Sequence, residues 1–242
     1  MAEQVKPYGS SEKSKKEEVA DMFDNIASNY DFLNHLLSMG IDITWRKKAV
    51  RMLKPFAPKQ MIDIATGTGD FALECLSLNP DKITGVDISN QMLEVGRQKM
   101  QKKGVSDKIE MKYGDSENLP FEDNQFDALT VAFGVRNFQN LEAGLSEMSR
   151  VLKPGAPAAV IEFSTPQRFP FKQLYWFYFK NILPTLGKIV SKDARAYTYL
   201  PESVETFPHG DKFATIMKNC GFKEVQVIPL TLGIASIYFG KK

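Results

Sequence analysis

The feature that most constrains the fold is a glycine-rich turn between a short apolar strand and a helix. The strand is predicted over 60–65, the turn is Gly67-Thr68-Gly69, and the helix is predicted over 70–78. Glycine lets the backbone pass close beneath a ligand, and the first N–H groups of the helix point at whatever lies there. A strand, a turn and a helix in this order are typical of nucleotide-binding α/β proteins.

The rest of the chain repeats this alternation of short apolar runs and amphipathic helices, which predicts a parallel, doubly wound sheet. Further strands are predicted over 83–87, 109–113, 126–132 and 157–163, and further helices over 89–103 and 141–152. Two last strands, 223–230 and 234–239, flank Thr231-Leu232-Gly233 and should form an antiparallel hairpin. The predicted fold class is α/β, with a Rossmann-like, mostly parallel sheet of seven strands that ends in this hairpin.

Three other segments frame the sheet. Residues 1–17 are polar and charged, so composition predicts a disordered lead, because too few apolar groups offset the entropy lost on ordering. Apolar residues recur at helical spacing over 18–57 and predict a helical cap. An aromatic-rich insertion, 164–210, separates the fifth strand from the hairpin. We expect one domain over 18–242.

Composition excludes several classes of function. Lys and Arg number 31 against 29 for Asp and Glu, so net charge gives no broad attraction for nucleic acid. Cys75 and Cys220 lie far apart without metal-ligand spacing, so neither a disulfide framework nor a metal site is expected. No run reaches the roughly 18 apolar residues of a membrane span. We therefore expect a cytoplasmic protein with no nucleic-acid partner.

Acidic residues at the ends of successive strands predict a nucleoside cofactor. Asp63 lies inside the first strand, where a buried carboxylate needs a compensating partner such as the ammonium of S-adenosylmethionine. Asp87, followed by Ile88, ends the second strand and can accept both ribose hydroxyls. Asp115, beside Ser116, leaves the third strand where the adenine amino group would lie. The ordered set favours S-adenosylmethionine as the cofactor.

An NAD-dependent oxidoreductase is an alternative, because Gly67, Gly69 and Ala72 also match the G-x-G-x-x-A dinucleotide fingerprint. Asp63 argues against it, since this carboxylate would repel a pyrophosphate, and no catalytic Tyr/Lys or His arrangement is recognisable. For Asp63 itself, a carboxylate held by structural hydrogen bonds is the alternative to a cofactor contact. Asp115 has a similar alternative as a turn residue.

Three further motifs carry a resemblance to one family. They are Tyr30-Asp-Phe-Leu-Asn-His-Leu-Leu-Ser38, Phe133-Gly-Val-Arg-Asn137, and Arg150-Val-Leu-Lys-Pro-Gly155 leading into Val160-Ile-Glu-Phe-Ser164. From about residue 17 to its end, the sequence resembles the ubiquinone/menaquinone biosynthesis C-methyltransferases. The resemblance implies methylation of a ring carbon of a polyprenylated quinol by S-adenosylmethionine. It implies demethylmenaquinol as acceptor, or alternatively the 2-methoxy-6-polyprenyl-1,4-benzoquinol of ubiquinone synthesis.

The resemblance also implies cofactor contacts at Thr68, Asp87 and the pair Asp115-Ser116. Ala132 stands where some family members have a cofactor-contacting serine, so this contact is open. The predicted cofactor site comprises Asp63, Gly67, Thr68, Gly69, Asp87, Ile88, Asp115, Ser116 and Ala132. Two further alternatives are a different small-molecule methyltransferase and a non-catalytic subunit that binds S-adenosylmethionine.

Arg136 and Asn137 are the main catalytic candidates, because they follow the fourth strand at the edge where ligands bind. A ring carbon becomes nucleophilic as the neighbouring quinol hydroxyl loses its proton. Arg136 is too basic to accept that proton, so we assign it to stabilising the oxygen's charge, with Asn137 as a hydrogen-bonding partner. An arginine that satisfies loop carbonyls is the alternative. Tyr30 is predicted to contact cofactor or substrate, and His35 and His209 are candidate bases.

The aromatic-rich insertion predicts a wall for the prenyl chain, although ordinary core packing is the alternative. Its aromatic residues concentrate at Phe169, Phe171 and Leu174-Tyr-Trp-Phe-Tyr-Phe179. Nearby lysines at 172, 180, 188 and 192 would face lipid headgroups, which predicts a peripheral contact with the inner face of the membrane. The sequence leaves the oligomeric state open, with a homo-oligomer among the options.

Overall fold

The computed structural model describes residues 5–9, 12–31, 38, 40–182 and 195–242, and its centre is a sheet with seven strands in these ranges. The strands are β1 (Gln60–Ile64), β2 (Lys82–Asp87), β3 (Ile109–Tyr113), β4 (Ala128–Ala132), β5 (Pro157–Phe163), β6 (Lys223–Leu230) and β7 (Ala235–Lys241). Their order is β3-β2-β1-β4-β5-β7-β6. The first five run parallel, and β7 pairs antiparallel with both β5 and β6. The predicted fold class is confirmed.

Eight α-helices lie in the described part of the chain. They are α1 (Lys15–Ile26), α2 (Ile41–Leu53), α3 (Asp70–Cys75), α4 (Asn90–Lys103), α5 (Leu141–Val151), α6 (Phe171–Phe177), α7 (Arg195–Thr206) and α8 (Asp211–Asn219). The helix predicted over 70–78 ends at Cys75 and continues as a 3-10 turn to Leu78. The helix predicted from 89 starts one residue later, because the Ser89 side chain caps it by accepting from the Met92 N–H.

The strand predicted over 126–132 begins only at Ala128. Phe126 forms an isolated bridge to Leu152, and the carboxylate of Asp127 accepts from the backbone N–H groups of Lys59 and Gln60. The strand predicted over 234–239 runs instead over Ala235–Lys241, because β7 pairs with β5 along its whole length. These shifts affect strand ends and leave the topology unchanged.

The first turn of α1 corrects the prediction made for residues 1–17. Ser14 caps the helix by accepting from the Glu17 N–H, and the Glu17 carboxylate accepts from the Ser14 N–H at 2.8 Å. This capping box satisfies two backbone donors and starts the helix at Lys15, inside the segment predicted to be disordered. Residues 1–4 and 10–11 of that segment lie outside the described ranges.

Buried apolar residues form two clusters on the sheet and a third cluster beside it. The third cluster joins α1 to the aromatic insertion: Val19 and Met22 of α1 are buried with Tyr175 and Phe179, and with Tyr199 of α7. The N-terminal helix and the insertion therefore pack as one layer over the carboxyl edge of the parallel strands. No helix in the described ranges is both long and apolar enough to cross a membrane.

Candidate active site

Two cavities lie at the carboxyl edge of the parallel strands. The first has a free volume of about 690 Å³ including its open mouth and is lined by residues that follow β1 to β4 and by α1. The second, of about 1590 Å³ including its mouth, lies between α1, α2 and the insertion. Phe23, Tyr30 and Phe133 line both cavities, so the two spaces meet at these three aromatic side chains.

The turn after β1 forms the floor of the first cavity. Gly67 and Gly69 have φ angles of +56° and +86°, in the left-handed region that favours glycine. The Gly67 N–H donates to Asp87 Oδ2 at 2.7 Å, which ties the turn to the end of β2. Gly67 lines the cavity, whereas Gly69 lies outside its wall and packs near Met100.

Asp87 lines the first cavity with both carboxylate oxygens already held in place. Oδ1 accepts from the Ser89 N–H at 2.9 Å, and Oδ2 accepts from the Gly67 N–H. Burial raises the pKa of Asp87 above its usual range. Each oxygen can accept a further hydrogen bond, so the carboxylate is oriented and still able to bind a pair of hydroxyls.

The structure pairs Asp115 with a residue that the sequence did not suggest. Lys16 of α1 donates to Asp115 Oδ2 at 2.5 Å and lies 3.3 Å from Glu117 Oε2. All three residues line the first cavity, together with Ser116. The helix α1 thus covers the cavity and is anchored to the loop after β3. The pattern Ser14-Lys-Lys-Glu17 is a capping-box signature that predicts an earlier helix start and brings Lys16 into the ordered chain.

Asp63 lies beneath the turn and not in the cavity wall. Its carboxylate accepts from the hydroxyls of Thr66 and Thr130, both at 2.6 Å, and from the backbone N–H of Ala72. Burial raises the pKa of Asp63 to about 6. This arrangement corresponds to the carboxylate held by structural hydrogen bonds, and it gives no geometric support to a direct contact with an ammonium.

Thr68 also lies outside the first cavity, within a polar cluster. Its hydroxyl donates to Asp31 and accepts from Lys99 Nζ at 2.9 Å. Lys99 Nζ is in turn 2.8 Å from Asp70 Oδ1 and 2.5 Å from Asp31 Oδ2. The cluster connects the cap, the turn after β1 and α4. Of the remaining predicted cofactor residues, Ile88 and Ala132 line the first cavity.

Arg136 lines the second cavity and forms a buried ion pair. Its Nη1 lies 2.8 Å from Oε1 of Glu162, a side chain with no exposed surface, and also donates to the Phe133 carbonyl. The guanidinium carbon is 5.5 Å from the centre of the Phe163 ring. The Nη1 group of Arg136 therefore satisfies a loop carbonyl, which is the alternative to a catalytic role that the sequence left open. Its Nε is buried without a hydrogen-bond partner among the described residues.

Asn137 lines the first cavity, and its amide is fixed by protein groups. Nδ2 donates to the Phe133 carbonyl at 3.3 Å, and Oδ1 accepts from the Tyr199 hydroxyl at 3.1 Å. His209 lines neither of the two cavities; its Nδ1 lies 3.3 Å from the Phe207 carbonyl. His35 lies outside the described residues.

The second cavity has a mostly apolar and aromatic wall. Its lining includes Trp45, Phe163, Tyr175, Tyr178, Phe179 and Tyr199. At its rim Phe171, Leu174 and Leu232 are exposed by 40%, 60% and 64%. The insertion therefore contributes both wall and rim, whereas Lys188 and Lys192 lie outside the described residues.

The strand order, the turn after β1 and the acids at the strand ends together define a class I S-adenosylmethionine-dependent methyltransferase. A crystal structure from Thermotoga maritima, described as an S-adenosylmethionine-dependent methyltransferase and possible histamine N-methyltransferase, has a TM-score of 0.63. It is 22% identical, and the match covers 92% of this chain and 99% of that one. At this identity the likeness concerns the fold alone. The sequence profile of the ubiE/COQ5 methyltransferase family matches residues 11–242, and the chain belongs to this family.

Two relatives illustrate the similarity within the family. A Bacteroides fragilis protein named demethylmenaquinone methyltransferase is 52% identical over 241 residues, which is 99% of this chain and 98% of the relative. A Geotalea daltonii protein named ubiquinone/menaquinone biosynthesis C-methyltransferase UbiE is 48% identical over 231 residues, covering 94% and 97%. The chain thus spans nearly the full length of both.

Proposed function

We propose that this protein transfers a methyl group from S-adenosylmethionine to a ring carbon of demethylmenaquinol. The observation that carries the proposal is that a cavity lined by the strand-end acids Asp87 and Asp115 meets an aromatic cavity at Phe23, Tyr30 and Phe133. A methyltransferase needs such a junction, because the donor and the acceptor must approach each other in line and away from water.

The first cavity fits the methyl donor. Asp87 would bind the ribose hydroxyls, since both its oxygens keep accepting capacity, and Asp115 with Ser116 would bind the adenine end. When bound, S-adenosylmethionine supplies a methyl group that is already activated on a sulfonium. Ile88 and Ala132 would contribute apolar contacts in the same cavity. Thr68 would act through the polar cluster of Asp31, Asp70 and Lys99.

The second cavity fits the quinol and the start of its prenyl chain. Its aromatic wall offers flat apolar surfaces to a ring, and the exposed rim at Phe171, Leu174 and Leu232 continues the apolar path outward. Arg136 is the cation in this wall, and a neighbouring cation lowers the pKa of a hydroxyl. We assign Arg136 to stabilising the charge that develops on the quinol oxygen, with Tyr30 at the junction and Asn137 in the adjoining wall of the first cavity.

The names of the relatives favour demethylmenaquinol as the acceptor over the benzoquinol of ubiquinone synthesis. The relative at 52% identity is named for demethylmenaquinone alone, whereas the one at 48% is named for both quinones.

The test is a labelled-methyl assay with the two quinols, each kept reduced and each with the same prenyl chain. We expect transfer to demethylmenaquinol at a kcat/KM at least tenfold above that for the benzoquinol, a difference of about 1.4 kcal/mol in transition-state binding. The oxidised quinone should not react, because it has no hydroxyl to ionise. Equal or greater transfer to the benzoquinol would overturn the choice of acceptor, and transfer to neither would overturn the quinol proposal.

We also propose that the rim of the second cavity contacts the inner face of the membrane. Of the eight large apolar residues that are exposed in the described part of the chain, five lie on the insertion and the β6–β7 turn: Phe169 (80%), Phe171, Leu174, Phe177 and Leu232. Four of these lie in or next to α6, which also carries the exposed Lys172. An exposed apolar patch beside a cation suits an anionic lipid surface.

Liposome co-sedimentation tests this contact. The double variant Phe169→Ser/Phe177→Ser should release the protein from anionic vesicles, while Tyr113→Ser, which changes an exposed aromatic residue outside both cavities, should bind like wild type. Vesicle binding that is equal in all three proteins would contradict the proposed contact.

That the protein forms a homo-oligomer stays a prediction. Sedimentation velocity measures the oligomeric state directly.

A further inference from the structure

Two buried polar side-chain atoms in the described part of the chain have no hydrogen-bond partner. They are Nε of Arg136 and the hydroxyl of Tyr175. Both residues line the second cavity, although one follows β4 and the other lies in α6. Because an unsatisfied buried polar atom is costly, two of them in one cavity wall indicate a polar group of a ligand.

Packing explains the ring of Tyr175 but not its hydroxyl. The ring stacks on Phe179 with centroids 4.2 Å apart and meets Trp176 edge-on at 5.5 Å. A phenylalanine would make the same ring contacts. Two other buried tyrosines use their hydroxyls: Tyr199 donates to Asn137, and Tyr238 accepts from the Gly210 N–H. The Tyr175 hydroxyl has no such partner in the described part of the chain.

The charges around Tyr175 define what its hydroxyl can do. Burial raises the pKa of Tyr175 well above its usual range, while the nearby Arg136 cation opposes that rise and Glu162 adds to it. The phenol stays protonated at neutral pH and can donate a hydrogen bond. The free Nε–H of Arg136 is a donor only. Both groups are therefore available as hydrogen-bond donors.

We infer that Tyr175 is a catalytic residue whose hydroxyl, together with Nε–H of Arg136, binds the quinol oxygen next to the methylated carbon. The inference rests on the proposed function and deepens it. Two donors that bind one oxygen hold it more strongly as it becomes negative, so they would stabilise the transition state more than the neutral quinol. Tyr175 keeps its proton throughout and only donates a hydrogen bond.

The test is the variant Tyr175→Phe with reduced demethylmenaquinol as substrate. We expect kcat to fall about 100-fold, the size of effect seen when one donor to a developing oxyanion is removed. The kcat–pH profile should move to higher pH, because the bound quinol hydroxyl loses a group that favours its ionised form. S-adenosylmethionine affinity should stay as in wild type. The melting temperature without ligand should be equal or higher, since an unpaired buried hydroxyl has been removed.

Tyr113→Phe is the control, because it removes the hydroxyl of an exposed tyrosine outside both cavities, and it should match wild type. An unchanged kcat and pH profile in Tyr175→Phe, or a lowered melting temperature, would overturn the inference. The wild-type rate separates the two claims. If wild type does not methylate the quinol, the proposed function fails; if wild type does and Tyr175→Phe equals it, only this inference fails.

Discussion

At the scale of single residues, the second cavity depends on an ion pair that is almost completely buried. The side chains of Arg136 and Glu162 are exposed by 8% and 0%. The Glu162 carboxylate also accepts from the backbone N–H groups of Arg136 and Phe163. Removing one partner of such a pair leaves an uncompensated buried charge, whereas removing both does not.

The variant Arg136→Gln should therefore lose about 3–5 kcal/mol of stability as well as methyl transfer. The double variant Arg136→Gln/Glu162→Gln should recover most of that stability and remain inactive. Urea unfolding and a methyl-transfer assay measure the two effects separately, and calorimetry should show unchanged S-adenosylmethionine binding, because Arg136 lines the second cavity and not the first. Activity in the double variant would remove Arg136 from the mechanism.

Asp63 gives a prediction about pH. Its pKa is raised to about 6 by burial, so the folded protein holds this proton more tightly than the unfolded chain, where a carboxyl has a pKa of about 4. The contribution of Asp63 to stability is therefore largest below about pH 4 and is lost as pH rises through about 6. Relative to Asp63→Asn, wild type should become less stable between pH 4 and 7. Free energies of unfolding for both proteins across that range test this, and parallel curves would contradict it.

At the scale of elements, α1 acts as a cover for the first cavity. Lys16, Val19 and Phe23 line that cavity, and Val19 is also buried in the cluster that α1 shares with the insertion. Charged side chains of α1 hold the cover to the strand edge: Lys15 Nζ donates to the Arg136 and Phe138 carbonyls, and Lys16 pairs with Asp115. Both side chains of this pair are more than a quarter exposed, at 27% and 29%, so solvent screens the pair.

Lys16→Met should accelerate S-adenosylmethionine dissociation a few-fold at low salt, which corresponds to about 0.5–1 kcal/mol for a screened pair. The difference should shrink as salt is added. Lys13→Met is the matched control, since Lys13 pairs with Asp21 close by but outside the first cavity. Stopped-flow dissociation measures the rates. Equal acceleration by both variants would show that the pair of Lys16 with Asp115 is not a specific anchor.

Local patterns made the sheet and the strand-end acids predictable. β1, β2 and β5 are buried along almost their whole length, and their apolar residues form short runs in the sequence, although β1 and β2 also bury Asp63, Thr84 and Asp87. Asp87 is the last residue of β2, and Asp115 lies two residues after β3. Both acids line the first cavity, as their positions predict.

The partners of these residues could not be predicted, because they come from distant parts of the chain. Lys16 reaches Asp115 across 99 residues, and composition had assigned Lys16 to a disordered lead. The proximity of Arg136 and Glu162, by contrast, follows from the predicted order of the strands. β4 and β5 are parallel neighbours with Ala132 opposite Ile161, so the residues that follow one strand lie beside those that end the other.

At the scale of the whole molecule, cofactor binding should reduce the mobility of the N-terminal helix α1 as well as of the strand edge. S-adenosylhomocysteine should slow amide hydrogen exchange in α1, because α1 lines the cavity that this product of the donor would occupy. Exchange in α8, which packs on α5 and β6, should change less. Hydrogen-exchange mass spectrometry measures both helices in one experiment. A raised melting temperature with no slowing in α1 would show that α1 does not close over the ligand.

The common wall of Phe23, Tyr30 and Phe133 has a consequence for the order of events in turnover. On one side of this wall the lining includes Asp87 and Asp115, which suit a water-soluble donor, and the other side leads to an apolar rim that suits a lipid. Each ligand then exchanges with its own medium. Under the proposed function and the proposed membrane contact, a spent donor would be replaced while the methylated lipid is still bound, and the enzyme would not need to leave the lipid surface between successive turnovers.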